Sequence, residues 1–409
     1  MKLSKSFLKT LRSAPKDEAA RSAGFLIRAG YVYKELAGVY DFLPLGLKVL
    51  ENIKNIVRDE LNKIGAEELQ LSALQNPKLW EKTSRWDDNA VDIWFKTKLS
   101  AGGELGLAPT HEEPITNLMR TYIESYKDLP IAVYQFQNKF RNELRAKSGI
   151  LRGREFLMKD LYSFSPDEET HQKFYHQVEQ AYQNIFNRVG LGAETFETFA
   201  SGGIFAKYSH EYQTFLPVGE DTVYYNKDKS VVLNEEVLND EVLNDLGVKR
   251  EDLEKTTAAE VANIFTLKYK YSEPLGLEFT EKDGSRKTVF MGCYGIGISR
   301  VMGVIAEKFA DEKGLVWPES VAPFKFYLIG IGEEGTKTAE EIYSKNPDLF
   351  LFDDRNARVG EKMADSELLG IPFRVVISDK TLAENSVEFT ERKNGEKKLL
   401  KIDEFLAKL

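Results

Sequence analysis

Apolar residues recur at helical spacing through Leu47, Leu50, Ile53, Val57, Leu61 and Ile64, and Gly65 follows where a left-handed residue would end the helix. That stripe needs a sheet or a partner to cover it. A second helical pattern runs through Phe174, Val178, Tyr182, Ile185 and Val189. Ser165 supplies its cap, Pro166 a first-turn residue and Glu168 a reciprocal acid, and Gly190 closes it. Between the two helices the period falls to two residues. From Tyr134 to Glu143, the residues Tyr134, Phe136 and Phe140 share one face, and Gln135, Gln137, Arg141 and Glu143 share the other. From Arg154 to Tyr162, one face carries Arg154, Phe156, Met158, Asp160 and Tyr162, so the two segments read as a long antiparallel hairpin joined by Leu144 to Gly153. Beyond the punctuation at Pro318 and Pro323, strands at Phe326 to Ile331, Leu349 to Phe352 and Phe373 to Ile377 alternate with helical stretches near Thr338 to Tyr343 and up to Gly370. This is the pattern of a small α/β domain, with a boundary near 312 to 324.

The chain has 409 residues, enough for two or three domains of about 150 residues each. Apolar residues make up 42% and charged residues 30%, and no stretch of about 18 residues is free of charge, which predicts no membrane-spanning helix. Met1 to Gly30 has no compact apolar run with a small-residue cleavage site, so the expected compartment is the cytoplasm. A single cysteine, Cys293, forms no internal disulfide, and with four histidines it predicts no structural zinc cluster. The net charge of -9 argues against coating DNA, but it is unevenly spread. From Asn138 to Asp160 seven Lys or Arg face three acids, a local net of +4, which predicts an anionic partner at this loop. Glu220 to Glu260 reverses the balance with twelve acids against five bases and repeats Val-Leu-Asn at 232, 237 and 242. It reads as a solvated, weakly packed insertion or helical spur.

Arg141 and Glu143 lie two positions apart, so a strand puts them on one face, where a guanidinium can hold a phosphate or carboxylate and a carboxylate can accept an amino group. Phe156 on the neighbouring strand offers a flat face for an aromatic base, and Asp160 a charge for an ammonium group. The plain alternative is a salt-bridged sheet surface. Met291 to Gly297 is a glycine-rich run before an apolar helix near Ser299, with Arg300 in its first turn; the run can bring backbone amides to an anion, or be a tight strand-to-helix turn. Cys293 within it reads as a packed residue. Thr110 and Glu113 fit a capping box, which leaves Glu112 as a surplus acid, either solvated or amine-binding. His210 beside Glu211 could orient a polar ligand or be an ordinary core histidine, and no metal ligand set stands out.

Taken in order, Tyr40 to Gln75, LAPTHEE at Leu107 to Glu113, Tyr134 to Phe164, SHEY at Ser209 to Tyr212, Ile264 to Ser272 and FMGCYGIGISR at Phe290 to Arg300 resemble the class II aminoacyl-tRNA synthetases, and among them the prolyl-tRNA synthetase family. LFDDRNARVG and the segment through Gly370 resemble that family's anticodon-binding domain. The resemblance implies a catalytic domain over 1–315, built on a mixed, mainly antiparallel sheet with helices and including the acidic connection at 220–260, and a small α/β anticodon-binding domain over 323–409. It implies ATP-dependent activation of L-proline and transfer to proline-accepting tRNA by a homodimer, with Mg2+ arriving on ATP. Arg141 would contact the α-phosphate and the activated carboxylate, Glu143 the adenine side, and Arg152 the phosphate tail, while Phe156 would stack on adenine against Arg300. Thr110 and Glu112 would bind the secondary amine, with Met158, Asp160, Tyr162 and His210 around the pyrrolidine ring. Arg145 and Lys147 would help place the acceptor end, and Asp354, Arg355, Arg358 and Lys362 match the anticodon domain. Three features depart from the family: Ser72 stands where the first motif carries a proline, Asn142 stands where the second motif carries an aspartate, and the 127 residues from Ser165 to Met291 leave no room for an inserted editing domain. The rival reading is a non-catalytic, synthetase-like protein that binds tRNA or regulates a partner.

Overall fold

The computed structural model describes residues 1–15, 20–144, 148–201 and 208–409. The chain divides into two compact units, one of Met1–Glu35, Tyr40–Ile53 and Ile305–Leu409, the other of Leu36–Val39 and Lys54–Val304. The larger unit is organised by a nine-stranded sheet. Its order is Tyr208–Phe215, Thr195–Ser201, Val232–Asn234, Asp221–Tyr225, Glu254–Lys268, Phe290–Gly297, Glu155–Ser165, Ile131–Phe140 and Glu67–Glu68. Of the eight neighbour pairings in that order, all but Val232–Asn234 on Thr195–Ser201 and Glu67–Glu68 on Ile131–Phe140 are antiparallel. This is the mixed, mainly antiparallel sheet expected.

The hairpin forms where period two was read: Gln135 pairs with Asp160, Gln137 with Met158 and Lys139 with Phe156, so the polar face of one strand meets the Phe156–Met158–Asp160 face of the other. The second strand runs on to Ser165, which therefore is not the helix cap. Asp167 caps instead, its carboxylate accepting from the Thr170 amide at 2.8 Å, and the helix spans Glu168–Arg188 with Val178, Tyr182 and Ile185 buried against the sheet side. The earlier helix spans Pro44–Lys63. Val49, Leu50, Ile53, Val57 and Leu61 are buried, Leu47 is exposed, and Gly65 at φ +80° lets the Ala66 amide return to the Leu61 carbonyl at 3.2 Å.

The acidic 220–260 region is not a solvated spur. Asp221–Tyr225, Val232–Asn234 and the start of Glu254–Lys268 are strands of the central sheet, and Leu233, Val242 and Leu243 form a small buried cluster. The Val-Leu-Asn repeat has a local cause: Asn234 and Asn239 each cap the short helical turn that follows, accepting from Glu236 N and Val242 N. Charge counting missed this because the apolar member of each repeat faces inward while the acids line the outside.

The smaller unit carries a five-stranded sheet, ordered Phe350–Asp353, Phe326–Ile331, Phe373–Ser378, Ser386–Glu391 and Lys397–Lys401. The first three strands are parallel and the last two join antiparallel. Helices Glu333–Lys345 and Val359–Leu369 alternate with the parallel strands, and Phe326, Phe350, Phe352, Val375 and Ile377 fill the core. Among the described residues, no helix is long and apolar enough to cross a membrane.

Candidate active site

The site begins where the hairpin ends. Arg141 continues the ladder by donating its amide to Arg154 O at 2.8 Å, and the Phe140 amide reaches Ala108 O at 2.9 Å, which brings Pro109 alongside. Arg141 Nε then donates to Pro109 O at 3.2 Å, and its guanidinium lies 5.2 Å from the Phe156 ring centroid. Glu143 turns back on the hairpin and accepts from Arg152 at 2.9 and 3.0 Å, while Arg152 also reaches Glu220 at 2.7 Å. Arg300 sits in the first turn of the helix Ile298–Phe309, donating to Leu151 O at 2.8 Å and to Glu260 through both its carbonyl (2.7 Å) and its carboxylate (3.2 Å). Arg141, Glu143, Arg152, Asp221, Glu260 and Arg300 line one cavity. Burial and the nearby Glu260 push the Asp221 carboxyl above its ordinary value, and the same two causes raise Glu211 to about 8.

Behind Pro109 lies a fully buried acidic pair. The helix Glu112–Met119 begins after His111, and Thr110 is not its cap: the Thr110 hydroxyl donates to both Glu112 oxygens, at 2.8 and 2.7 Å. Glu113 does not close a capping box either; it takes Arg85 Nη1 at 2.9 and 3.1 Å and the Thr83 hydroxyl at 2.8 Å. Arg85 is held for this by a tryptophan cluster, its guanidinium 4.9 Å from the Trp80 ring and its carbonyl accepting from Trp94 Nε1 at 3.0 Å. Glu112 also meets Tyr162 Oη at 3.5 Å and Cys293 Sγ at 3.4 Å. Burial and Glu112 push the Cys293 thiol well up, so it is a packed wall of the pocket and no nucleophile.

Asp160 is compensated within the protein. Lys139 Nζ lies 2.7 Å from its Oδ1, and Gln135 Nε2 and Tyr162 Oη donate to its Oδ2 at 2.8 and 2.9 Å. Burial is the largest single effect on Asp160 and opposes its ionisation, but Lys139 and the neighbouring donors together outweigh it and hold the carboxyl below its ordinary value. His111 completes the set: its Nε2–H donates to Ser72 O at 3.1 Å, so Nδ1 accepts from Lys139 at 2.7 Å, and burial together with Lys139 lowers the imidazole to about 3. Ser72, the departure in the first motif, thus contributes through its backbone carbonyl. Asn142 likewise acts through its backbone, donating its amide to Ile93 O at 2.9 Å.

His210 stands elsewhere on the sheet, with Tyr175 Oη 2.8 Å from Nδ1 and Glu197 at 3.6 Å. Met158 is half-buried on the hairpin face, opposite Gln137 and beside Gly297. Among its described residues the +4 segment forms no surface patch: Lys139 and Lys159 are fully buried, Arg152 is paired with two acids and Arg154 donates to the Ala37 and Glu143 carbonyls. Arg145 and Lys147 lie outside the described residues. In the smaller unit, Arg355 grips the buried Asp353 at 2.8 and 2.7 Å and Asp365 at 2.7 Å, Lys362 donates to Asp353 O at 2.9 Å, and Asp354 accepts from Ser4; Arg358 is exposed. Sequence reasoning passed over Lys139, His111, Gln135, Arg85, Glu260 and Asp221. For Gln135 and Lys139 the signal was their parity with Arg141 on the strand.

The comparisons with known proteins agree on what this arrangement belongs to. Residues 95–309 match the tRNA synthetase class II core domain (G, H, P, S and T), and residues 325–409 match an anticodon binding domain. The proline–tRNA ligase of Wolbachia pipientis wMel is 38% identical over 421 residues, covering 99% of this chain and 98% of that protein. That of Anaplasma marginale (strain St. Maries) is 38% identical over 426 residues, covering 100% of both. The chain belongs to the prolyl-tRNA synthetase family. Its fold is similar to the prolyl-tRNA synthetase of Cryptosporidium parvum complexed with halofuginone and AMPPNP, with a TM-score of 0.77 at 19% identity over 95% of this chain and 75% of that one. The Giardia lamblia prolyl-tRNA synthetase in complex with prolyl-adenylate gives 0.76 at 19% identity, over 93% and 74% of the two chains.

Proposed function

We propose that this chain joins L-proline to ATP, forming prolyl-adenylate and pyrophosphate, and then passes the prolyl group to proline-accepting tRNA with release of AMP. The observation that carries this reading is the meeting of Arg141 and Arg300 at one cavity, with Arg141 bonded to the carbonyl of Pro109, from which the chain runs on through Thr110 to the buried Glu112 carboxylate. As the proline carboxylate attacks the α-phosphorus in line, Arg141 and Arg300 would offset the negative charge that grows on the phosphate oxygens, and their anchoring to Pro109, Leu151 and Glu260 holds them in place beforehand. Phe156 and Arg300 would sandwich adenine with Glu143 at its edge, and Arg152 would turn from Glu143 and Glu220 to the phosphate tail. Asp221 and Glu260, which share the cavity and accept from Gln213 at 2.7 Å and Arg300 at 3.2 Å, are the carboxylate oxygens that would hold a magnesium ion; brought with ATP, it would neutralise phosphate charge there. Glu112, steadied by Thr110, would take the secondary amine, while Met158, Tyr162 and Cys293 wall the ring and Asp160 neighbours it; His210, bonded to Tyr175, lies apart from them.

The catalytic domain would span 1–315 and the anticodon-binding domain 323–409, with Arg358 exposed to RNA, Asp354, Arg355 and Lys362 shaping the loop beside it, and Arg145 and Lys147 near the acceptor end. The active form would be a cytoplasmic homodimer. Proline-dependent exchange of pyrophosphate into ATP, run beside alanine and threonine and followed by tRNA charging, tests the reading. Exchange with proline and charging of its tRNA are expected. Tight tRNA binding without exchange would make the chain a non-catalytic relative instead.

A further inference from the structure

On the side of the large sheet covered by the helix Glu168–Arg188, metal-ligating side chains from three elements come together: Glu179 from that helix, Glu197 from Thr195–Ser201 and His210 from Tyr208–Phe215. Strand register explains the meeting. Tyr212 and Glu197 are direct partners across the antiparallel pair, and His210 lies two positions along the same face, while Tyr175 and Glu179 stand one helical turn apart on the helix above. Glu211, between His210 and Tyr212, points to the opposite face, toward Glu260 and Asp221, so the cluster is separate from the nucleotide cavity. One donor atom from each of the three lies within 4.8 Å of the other two, and His210 Nδ1 is 3.6 Å from Glu197 Oε1.

The set is rich in lone pairs and poor in cations. Burial lowers the pKa of His210 and keeps its imidazole neutral at pH 7, the form that ligates metals, with the Tyr175 hydroxyl 2.8 Å from Nδ1. Among the described residues no lysine or arginine pairs with either acid; Glu179 meets exposed His176 at 2.6 Å. Burial and the neighbouring Glu179 raise the Glu197 carboxyl to about 7, as expected of two carboxylates with no cation between them. Tyr212 gives an independent sign. It is 2% exposed and its hydroxyl completes no hydrogen bond, although the charges that act on it most strongly are those of Glu197 and Glu179. The side chains of Glu179, Glu197 and His210 are 18, 32 and 37% exposed, which leaves an ion a path in from solvent. One imidazole with two carboxylates suits zinc and its transition-metal neighbours better than magnesium or calcium, which favour all-oxygen sets. Metal–ligand bonds of about 2.0–2.2 Å place donors roughly 3–3.5 Å apart, so the cluster has to draw in by about an ångström, within reach of glutamate side-chain rotation.

We propose that Glu179, Glu197 and His210 bind a divalent transition-metal ion of the zinc type, His210 through Nδ1 released from Tyr175, with water completing the coordination and the Tyr212 hydroxyl donating to the free oxygen of Glu197. The ion ties the helix to two strands and stabilises the fold; it takes no part in the chemistry above, and the site stands whether or not the chain activates proline. The test uses the full-length chain stripped of metal by a chelator, with Zn2+ titrated by calorimetry, Co2+ by visible absorption, and melting followed with and without Zn2+. One site is expected, with the absorption of four-coordinate Co2+, no displacement by excess Mg2+, and a melting temperature raised by Zn2+. His210→Gln and Glu197→Gln should each weaken Zn2+ by more than about a hundredfold and abolish the rise in melting temperature, while Tyr212→Phe, which acts through Glu197, should weaken it by about tenfold. Glu179→Gln, a near-isosteric change on the helix, gives the same comparison if either of the first two melts early without metal. Absence of Zn2+ binding, or equal binding by the unaltered protein and these variants, overturns the proposal, and so does displacement of Co2+ by Mg2+, which would place the ion on other carboxylates.

Discussion

Replacing Lys139 with methionine strips Asp160 of its cation in a place water does not reach, since Lys139 and Asp160 are both buried and 2.7 Å apart. Removing one member of such a pair costs about 3–5 kcal/mol, because the charge left behind has no solvent to stabilise it. Gln135 and Tyr162 still donate to the other carboxylate oxygen at 2.8 and 2.9 Å, which places Lys139→Met near the low end, at about 3 kcal/mol. Urea unfolding at pH 7 reads this through tryptophan fluorescence, because Trp80, Trp86 and Trp94 all lie in the larger unit. The loss has a pH signature. In the unaltered protein the Asp160 carboxyl sits below its unfolded value, so its contribution is present above about pH 3.9 and lost as pH falls further. In the variant, burial without Lys139 raises the carboxyl, which then takes up a proton, so the gap between the two proteins is widest at neutral pH and closes toward pH 4. Adding Asp160→Asn should recover much of the loss. A cost below about 1 kcal/mol at pH 7, the scale of an exposed pair, or a gap independent of pH would refute the buried-pair argument.

Arg141→Ala and Arg300→Ala should each lower the rate of proline-dependent pyrophosphate exchange by about 10²–10³, the loss typical of a preorganised donor to developing charge. Glu112→Gln should raise the proline KM by roughly 10–100-fold, from about 1.5–3 kcal/mol for a hydrogen bond to a charged group, and leave the ATP KM unchanged. Glu211 titrates near 8 in the folded protein, above its unfolded value of about 4.3, so the stability it contributes at low pH is lost as pH rises through 8. Glu211→Gln should flatten that decline by up to about 1.4 kcal/mol per pH unit, as read from unfolding at pH 5, 7 and 9. A small apolar pocket separates alanine from proline by only about 1–3 kcal/mol per methylene, and the 127 residues from Ser165 to Met291 leave no room for an inserted editing domain. Mischarged alanyl-tRNA should therefore persist in a deacylation assay with this protein alone.

The hairpin was legible because alternation survives in Tyr134 to Glu143 even where both faces are polar, and the C-terminal domain because its strands and helices alternate with clear punctuation. Burial was harder to read. Lys139 and Lys159 were counted into a basic loop, yet both point into the protein, since a charge count along the chain carries no information about which partner waits across the sheet. The acids of 220–260 concealed three strands, two of which bring Asp221 and Glu260 to the cavity. Thr110 and Glu113 have the spacing of a capping box, but Arg85 and the Glu112 carboxylate offer stronger, charge-assisted partners, and those won. Ser165 lost its capping role because pairing with Phe290 keeps it in the strand. His210 was drawn toward the pocket by its motif, whereas strand register sets it beside Phe199 and Ile264.

The most direct test is a structure of this protein bound to a non-hydrolysable prolyl-adenylate analogue. The phosphate mimic should lie against Arg141, the adenine between Phe156 and Arg300, and the secondary amine on Glu112 and Thr110. An adenylate bound anywhere else, with Arg141 and Arg300 touching no part of it, would contradict the account.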